Sequence, residues 1–224
     1  MALSTQKSRS LGYQGAEQIE QMQAWWARYS KIVLGTLAAV AVVVAALVFN
    51  TRTRSVQEGA AAGKLAEASV YYWQQDYPRC LELAKQIVAQ YPSTPSGLEA
   101  HRLVADASFW NGDFKNAITE YHKYLEHMKQ PVFANAARRS LAYALESDGQ
   151  RLEAAKEYEG LVGKFDRNSS AEFLVAAARC YRGMNRPADA LERLKRVDLE
   201  FGETSYANQA RIEMGELAAA TGTR

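Results

Sequence analysis

Apolar positions along this chain follow two different rules. From Ile32 to Phe49 they are unbroken, and the run IVLGTLAAVAVVVAALVF contains no charge and no polar stripe. Beyond Arg54 they return every third or fourth residue, in segments of about 12 to 18 residues separated by short turns, which is the periodicity of packed α-helices. The first rule predicts a membrane span. At about 1.5 Å of rise per residue the run covers the ~30 Å hydrocarbon core of a bilayer, whereas a helix buried in a small soluble domain normally keeps one solvated stripe.

Upstream of the run, Ile19, Met22, Trp25, Trp26 and Tyr29 recur at helical spacing. They predict a short amphipathic helix leading into the span, so that residues 16–54 form an anchor whose crossing is 32–49. Trp25, Trp26 and Tyr29, with Arg28 and Lys31, form a membrane-interface set in which amphipathic rings and basic heads sit at headgroup level. Residues 1–15 are polar and lack periodicity, so a mobile tail is expected there. A cleaved signal peptide is the competing assignment, because Ala60, Ala61 and Ala62 offer small residues downstream. A leader of about thirty residues carrying Glu17 and Glu20 fits an uncleaved anchor better. Within the span, Gly35, Ala39 and Ala46 share a helix-packing face suited to close approach by a partner helix, or serve as plain filler. Basic residues do not orient the span, since Arg28 and Lys31 precede it while Arg52, Arg54 and Lys64 follow.

The region 55–224 repeats. Segments beginning at Asp76, Asp113, Gln150 and Arg186 align, with a small residue at Cys80, Ala117, Ala154 and Ala190, spaced 37, 37 and 36 residues apart. Four residues on stand Ala84, Tyr121, Tyr158 and Leu194, and three further Ile87, Tyr124, Leu161 and Val197. Twelve residues before each small anchor is another alanine, Ala68, Ala105, Ala142 and Ala178. Small residues at two matched places let antiparallel helices approach closely, and the larger ones fill the space between pairs. Turn residues fall where the period requires them, at Asn111-Gly112, at Asp148-Gly149 and at Gly183 with Asn185, while Pro92, Pro95 and Pro131 lie between pairs. A last helix from about Ser205 to Ala220 is expected to cover the open end.

This spacing, best seen in Gly112/Ala117/Tyr121 and Gly149/Ala154/Tyr158, resembles the tetratricopeptide repeat, although the period exceeds the usual 34 and the usual first-helix Trp is absent. The resemblance implies an all-α fold, an N-terminal transmembrane helix followed by a tetratricopeptide-like superhelix of antiparallel helix pairs. It further implies that the first helix of each pair lines a protein-binding groove, which places Tyr72, Arg102, Asp106, Phe109, Arg139, Tyr143, Glu146, Arg179 and Arg182 on that face. Rings beside arginines bury area and pair with carboxylates or carbonyls; the bland alternative is an ordinary solvated face. The Lys and Asn residues of the family's chaperone-type carboxylate clamp are not matched.

The layout as a whole, with the Trp pair in QMQAWWARYSK, one Ala/Val-rich span and divergent repeats, resembles the YfgM family of ancillary translocon subunits. That resemblance implies a single-pass protein of the bacterial inner membrane with a periplasmic repeat domain. The repeats alone also resemble outer-membrane assembly lipoproteins and the periplasmic coordinator of the Tol–Pal system, but this N-terminus has no lipobox cysteine.

Charge and chemistry narrow the function. Lys and Arg number 27 against 25 Asp and Glu, for a formal net charge of +2, too even a balance for a nucleic-acid footprint. Cys80 and Cys180 stand in helical patterns and read as small core residues. His101, His122 and His127 have no metal-ligand spacing, and Gly59 and Gly63 precede no Gly-Lys-Ser/Thr loop. The expectation is a membrane-anchored scaffold or adaptor assisting protein export or envelope assembly. No catalytic residue, metal, cofactor or small-molecule substrate is expected, and the partners are other membrane or periplasmic proteins and the lipid bilayer. The alternative is a permanent structural or assembly subunit of a respiratory or photosynthetic membrane complex.

Overall fold

The structure, a computed structural model, describes the backbone of residues 4–221 and the side chains of residues 19–219. Among the described residues all regular structure is helical, in nine helices: α1 (Ser4–Trp73), α2 (Tyr77–Gln90), α3 (Pro95–Trp110), α4 (Phe114–His127), α5 (Pro131–Ser147), α6 (Arg151–Leu161), α7 (Arg167–Gly183), α8 (Pro187–Glu200) and α9 (Tyr206–Thr221). The chain divides into two units, one up to Val56 and one from Gln57 onward.

The first unit is helix alone. None of its apolar run is buried, and α1 is the one described helix long and apolar enough to cross a membrane. Thr36 sits inside that run, and its hydroxyl is satisfied by the Val33 carbonyl at 2.9 Å, as Thr51 and Thr53 are by Val48 and Phe49. Such back-bonding satisfies a hydroxyl within its own helix. The expected tail over residues 1–15 lies partly outside the described residues, and from Ser4 the backbone is in α1. No proline interrupts the segment and several residues there favour helix, so no amphipathic face is required to continue it. The helix continues through the expected boundaries at 15/16 and 54/55, and the division between the two units falls at 56/57.

The second unit is a stack of helix pairs formed by the C-terminal part of α1 with α2, α3 with α4, α5 with α6, and α7 with α8, closed by α9. From α2 onward each helix packs on the next, while α3 also meets α5 and α7 meets α9. The repeat explains the packing. Ala68, Ala105, Ala142 and Ala178 on the first helices, and Cys80, Ala117, Ala154 and Ala190 on the second, are all fully buried. Tyr121, Tyr124, Tyr158, Leu161, Leu194 and Val197 fill the space between pairs and are closed to solvent, or nearly so. Each such side chain contributes roughly 1.5–3 kcal/mol by burial. The core falls into two clusters that meet on α3, one from Ala61 to Ala107 and one from Ala105 to Ala210, as expected when each repeat touches its neighbours only.

The four turns inside the pairs share one geometry. Gln75, Gly112, Gly149 and Asn185 all have positive φ, between 58° and 84°. The following amide reaches back to the helix, Asp76 to Tyr71, Asp113 to Ser108, Gln150 to Leu145 and Arg186 to Tyr181, at 2.9–3.0 Å. This is the Schellman closure that satisfies the last carbonyls of a helix. The next helix then starts on a cap where the sequence supplies one, Asp76 accepting from the Arg79 amide and Asp113 from the Asn116 amide.

Candidate functional site

Packing of the small residues inward leaves one face of α1, α3, α5 and α7 uncovered, and all nine residues expected on it belong to those four helices. They do not stand separately. Trp110 of α3 donates from its indole to the Tyr72 hydroxyl at 3.0 Å, Tyr143 of α5 donates to Glu172 of α7 at 2.8 Å, and Arg179 of α7 makes a two-bonded contact with Glu146 of α5 at 2.6 and 2.8 Å. Arg182 faces Glu213 and Glu216 of α9 at 3.3 and 3.5 Å. Arg139 lies over the Phe165 ring, 5.7 Å from its centroid. The face is therefore cross-linked from repeat to repeat, and most of its arginines already hold a carboxylate.

Two hollows open on it. The first, about 190 Å3, lies among α1, α3, α4 and α5, with Tyr72, Phe109, Trp110 and Tyr143 as walls and Asp106, Tyr121 and Ser140 at its base. Asp106 accepts from the Tyr121 hydroxyl at 2.6 Å and pairs with Arg102, which also holds Glu99. Burial raises the Asp106 pKa, and the Arg102 guanidinium and Tyr121 hydroxyl only partly oppose it. The second, a cleft of about 460 Å3, is lined by Glu146, Arg151, Arg179, Arg182 and Gly183. A Cβ on Gly183 would stand 2.7 Å from the Arg151 Nε, so the bare glycine is what lets that arginine lie across the end of α7. Burial acts to raise the Glu146 pKa, but hydrogen bonds from Arg179 and Tyr158 outweigh it and leave the group below its ordinary value.

The repeat architecture and its period decide the family. Residues 23–172 match the tetratricopeptide repeat-like domain. The chain belongs to this family. The match begins ahead of the apolar run, so that run lies within the matched extent. A solved structure with tetratricopeptide-like repeats agrees. A protein of Podosopora anserina assigned as a kinesin light chain, with nearly identical TPR-like repeats, is 21% identical over 75% of this chain and 89% of its own, with a TM-score of 0.59. A single-substitution variant of that protein gives the same values. BtubC (BKLC) of P. vanneervenii is 18% identical over 72% of this chain and 67% of its own, with a TM-score of 0.44. At these identities the likeness is one of fold. No curated protein matches the chain.

Trp110, Tyr121 and Arg151 line the two hollows beside the expected groove residues. Trp110 was legible, because it stands 37 residues after Trp73 at the same repeat position, and both rings are exposed. Tyr121 belongs to the core stripe and yet sends its hydroxyl through to Asp106, which no periodicity marks. Arg151 at the start of α6 and Gly183 at the end of α7 are brought together by the antiparallel packing of the two helices, which no periodicity marks.

Cys80 and Cys180 are free and buried, and burial pushes their thiols up to about 11 and about 12, far from thiolate formation at neutral pH. His101 Nδ1 lies 2.5 Å from Glu120. Among the described residues no three His, Cys, Asp or Glu side chains converge as a metal site. In the first unit Trp25 and Tyr29 pack at 5.5 Å and Arg28 lies over Tyr29 at 5.9 Å, with Trp25, Trp26 and Lys31 exposed. A Cβ on Gly35 would meet nothing within 4 Å, and Ala39 and Ala46 are exposed beside it.

Proposed function

We propose that this protein is a membrane-anchored, non-enzymatic scaffold whose tetratricopeptide-like repeats bind partner proteins on the first-helix face. The observation that carries the reading is α1 itself. One helix buries Ala61 and Ala68 in the repeat core and also carries an 18-residue apolar run of which nothing is buried. Leaving so much apolar surface in water would be costly, on the order of 25 cal/mol per Å2, and a bilayer of matching thickness removes that cost. The aromatic and basic residues Trp25, Trp26, Arg28, Tyr29 and Lys31 suit its interface.

The resemblance to ancillary translocon subunits supports placing the protein in a bacterial inner membrane with its repeats in the periplasm, assisting export or envelope assembly. Partners on this reading are membrane or periplasmic proteins. The open face at Gly35, Ala39 and Ala46 favours a second reading, in which the span packs permanently against a neighbouring subunit of a bioenergetic complex.

One set of experiments separates these. Full-length protein should resist alkaline carbonate extraction from membranes, and deletion of residues 32–49 should release it. A photocrosslinking residue at Arg139 should capture translocon or chaperone components that mild detergent alone removes. Retention of one partner at fixed stoichiometry without crosslinking establishes the second reading instead, and release of the intact chain by carbonate overturns the anchor altogether. A cysteine placed near Arg224, labelled in intact and permeabilised cells, reports the side on which the repeats lie.

A further inference from the structure

The hollow bounded by Tyr72, Phe109, Trp110 and Tyr143 is an aromatic enclosure with a carboxylate at its base. At about 190 Å3 it is smaller than the ~300–1,000 Å3 of typical small-molecule sites and fits one side chain. Its electrostatic sign can be read from the residues around it. Asp106 is the one charged side chain among its lining residues, and the Arg102 paired with it also pairs with Glu99. The Tyr72 phenol lines the same hollow. Burial and then the negative charge of Asp106 raise its pKa, the Trp110 hydrogen bond opposes them, and the positive charge of Arg102 has the smallest effect. Ring faces add negative potential of their own. The neighbouring cleft has the opposite character, with Arg151, Arg179 and Arg182 around one glutamate.

We propose that the hollow among α1, α3 and α5 receives a lysine or arginine side chain of a partner protein, with its alkyl stem against the rings and its cationic head toward Asp106. This rests on the reading of the first-helix face as protein-binding and adds what that face selects. Cations over desolvated rings gain enough to discriminate by about tenfold against a neutral side chain of equal length. Trp110 is 59% exposed, so its ring can close over an incoming stem without disturbing the core.

The test uses full-length protein in detergent micelles, labelled with 5-fluorotryptophan, with the Trp110 fluorine resonance assigned by its loss in Trp110→Phe. Nα-acetyl-lysine amide should shift that resonance saturably, about tenfold more tightly than the norleucine analogue, and the glutamate analogue should not shift it. Asp106→Asn should bring the lysine probe down to the norleucine level while the norleucine response persists, which also shows that the variant is folded. Trp110→Leu, which leaves the core intact, should weaken a lysine-containing octapeptide in calorimetry by a similar factor. Equal responses to lysine and norleucine, or no response to any probe, overturn the proposal. In either case capture of partners by a crosslinker at Arg139 still tests the scaffold reading independently.

Discussion

Glu146 of α5 accepts two hydrogen bonds from Arg179 of α7, at 2.6 and 2.8 Å, and the buried Tyr158 of α6 donates to the same carboxylate at 2.8 Å. One side chain thus ties three helices of two repeats. The two partners are unequal in worth. Arg179 is half exposed, so removing it by Arg179→Ala should cost no more than about 1 kcal/mol. Glu146→Ala strands the Tyr158 hydroxyl in a site closed to solvent and should cost about 1–3 kcal/mol. Urea unfolding of the full-length variants in micelles, followed by circular dichroism, distinguishes these two outcomes.

The same carboxylate gives a pH dependence with a definite sign. Its folded pKa lies below the ordinary value of 4.5, because the bonds from Arg179 and Tyr158 outweigh the effect of burial. Below 4.5 the unfolded chain binds the proton first, so the contribution is complete above that value and is lost as pH falls through the folded pKa. Glu146→Gln should therefore flatten the acid limb of the stability profile. Asp106 acts in the opposite direction. Its pKa is raised above 3.8, so its charged form weakens the fold at neutral pH, and protonation relieves that penalty as pH falls. An unchanged acid slope in Glu146→Gln would contradict the assignment.

The left-handed turn residues provide a test by position. Gln75, Gly112, Gly149 and Asn185 occupy equivalent places with positive φ. An L-residue with a Cβ pays about 1–2 kcal/mol there, and glycine returns part of that saving through its freer unfolded chain. Gln75→Gly should stabilise by about 0.5–1 kcal/mol, or roughly 2–4 °C in Tm. Asn185→Gly should gain less, because Asn tolerates this conformation. Gly112→Ala and Gly149→Ala should each lose about 1–2 kcal/mol. Thermal melts of the four variants check the order.

What the sequence could show follows from what repeats. The alternation of small and large core residues recurs every 36 or 37 positions, so Cys80 through Ala190 and Ala68 through Ala178 were readable as buried. Turn glycines at 112 and 149 were readable for the same reason. Gln75 was not, because its side chain carries no preference for positive φ and the repeat alone placed it there. The expected groove residues fall on the first helices, as the repeat implies, but their pairing was not readable. Tyr143 to Glu172 and Glu146 to Arg179 join residues 29 and 33 apart, distances that match no repeat interval and arise from the stacking of first helices.

Gly97 illustrates a constraint of another kind. A Cβ there would lie 1.9 Å from the Tyr91 carbonyl oxygen, at the turn where Thr94 accepts from the Gly97 amide at 2.9 Å. Backbone cannot move aside cheaply, so Gly97→Ala should destabilise by at least about 2 kcal/mol and loosen the junction of α2 and α3. Gly63, inside α1, has nothing within 4 Å of an added Cβ. Gly63→Ala should instead stabilise by up to about 1 kcal/mol through helix propensity. Hydrogen exchange at the α2–α3 turn and thermal melts compare the pair.

The apolar run of α1 allows a substitution that separates packing from folding. Gly35 is exposed on α1 and an added side chain meets nothing in this chain. Gly35→Leu should therefore leave circular dichroism, membrane insertion and the melting of the repeats unchanged. If a partner helix lies against Gly35, Ala39 and Ala46, the leucine holds the two backbones apart and removes the close contact that makes small-residue faces attractive in lipid. The native complex should then run at lower mass after mild detergent extraction, while Leu37→Ala, a substitution elsewhere on the same helix, leaves it intact. An unshifted complex in Gly35→Leu means that these residues are filler, and that binding by this protein depends on its repeats alone.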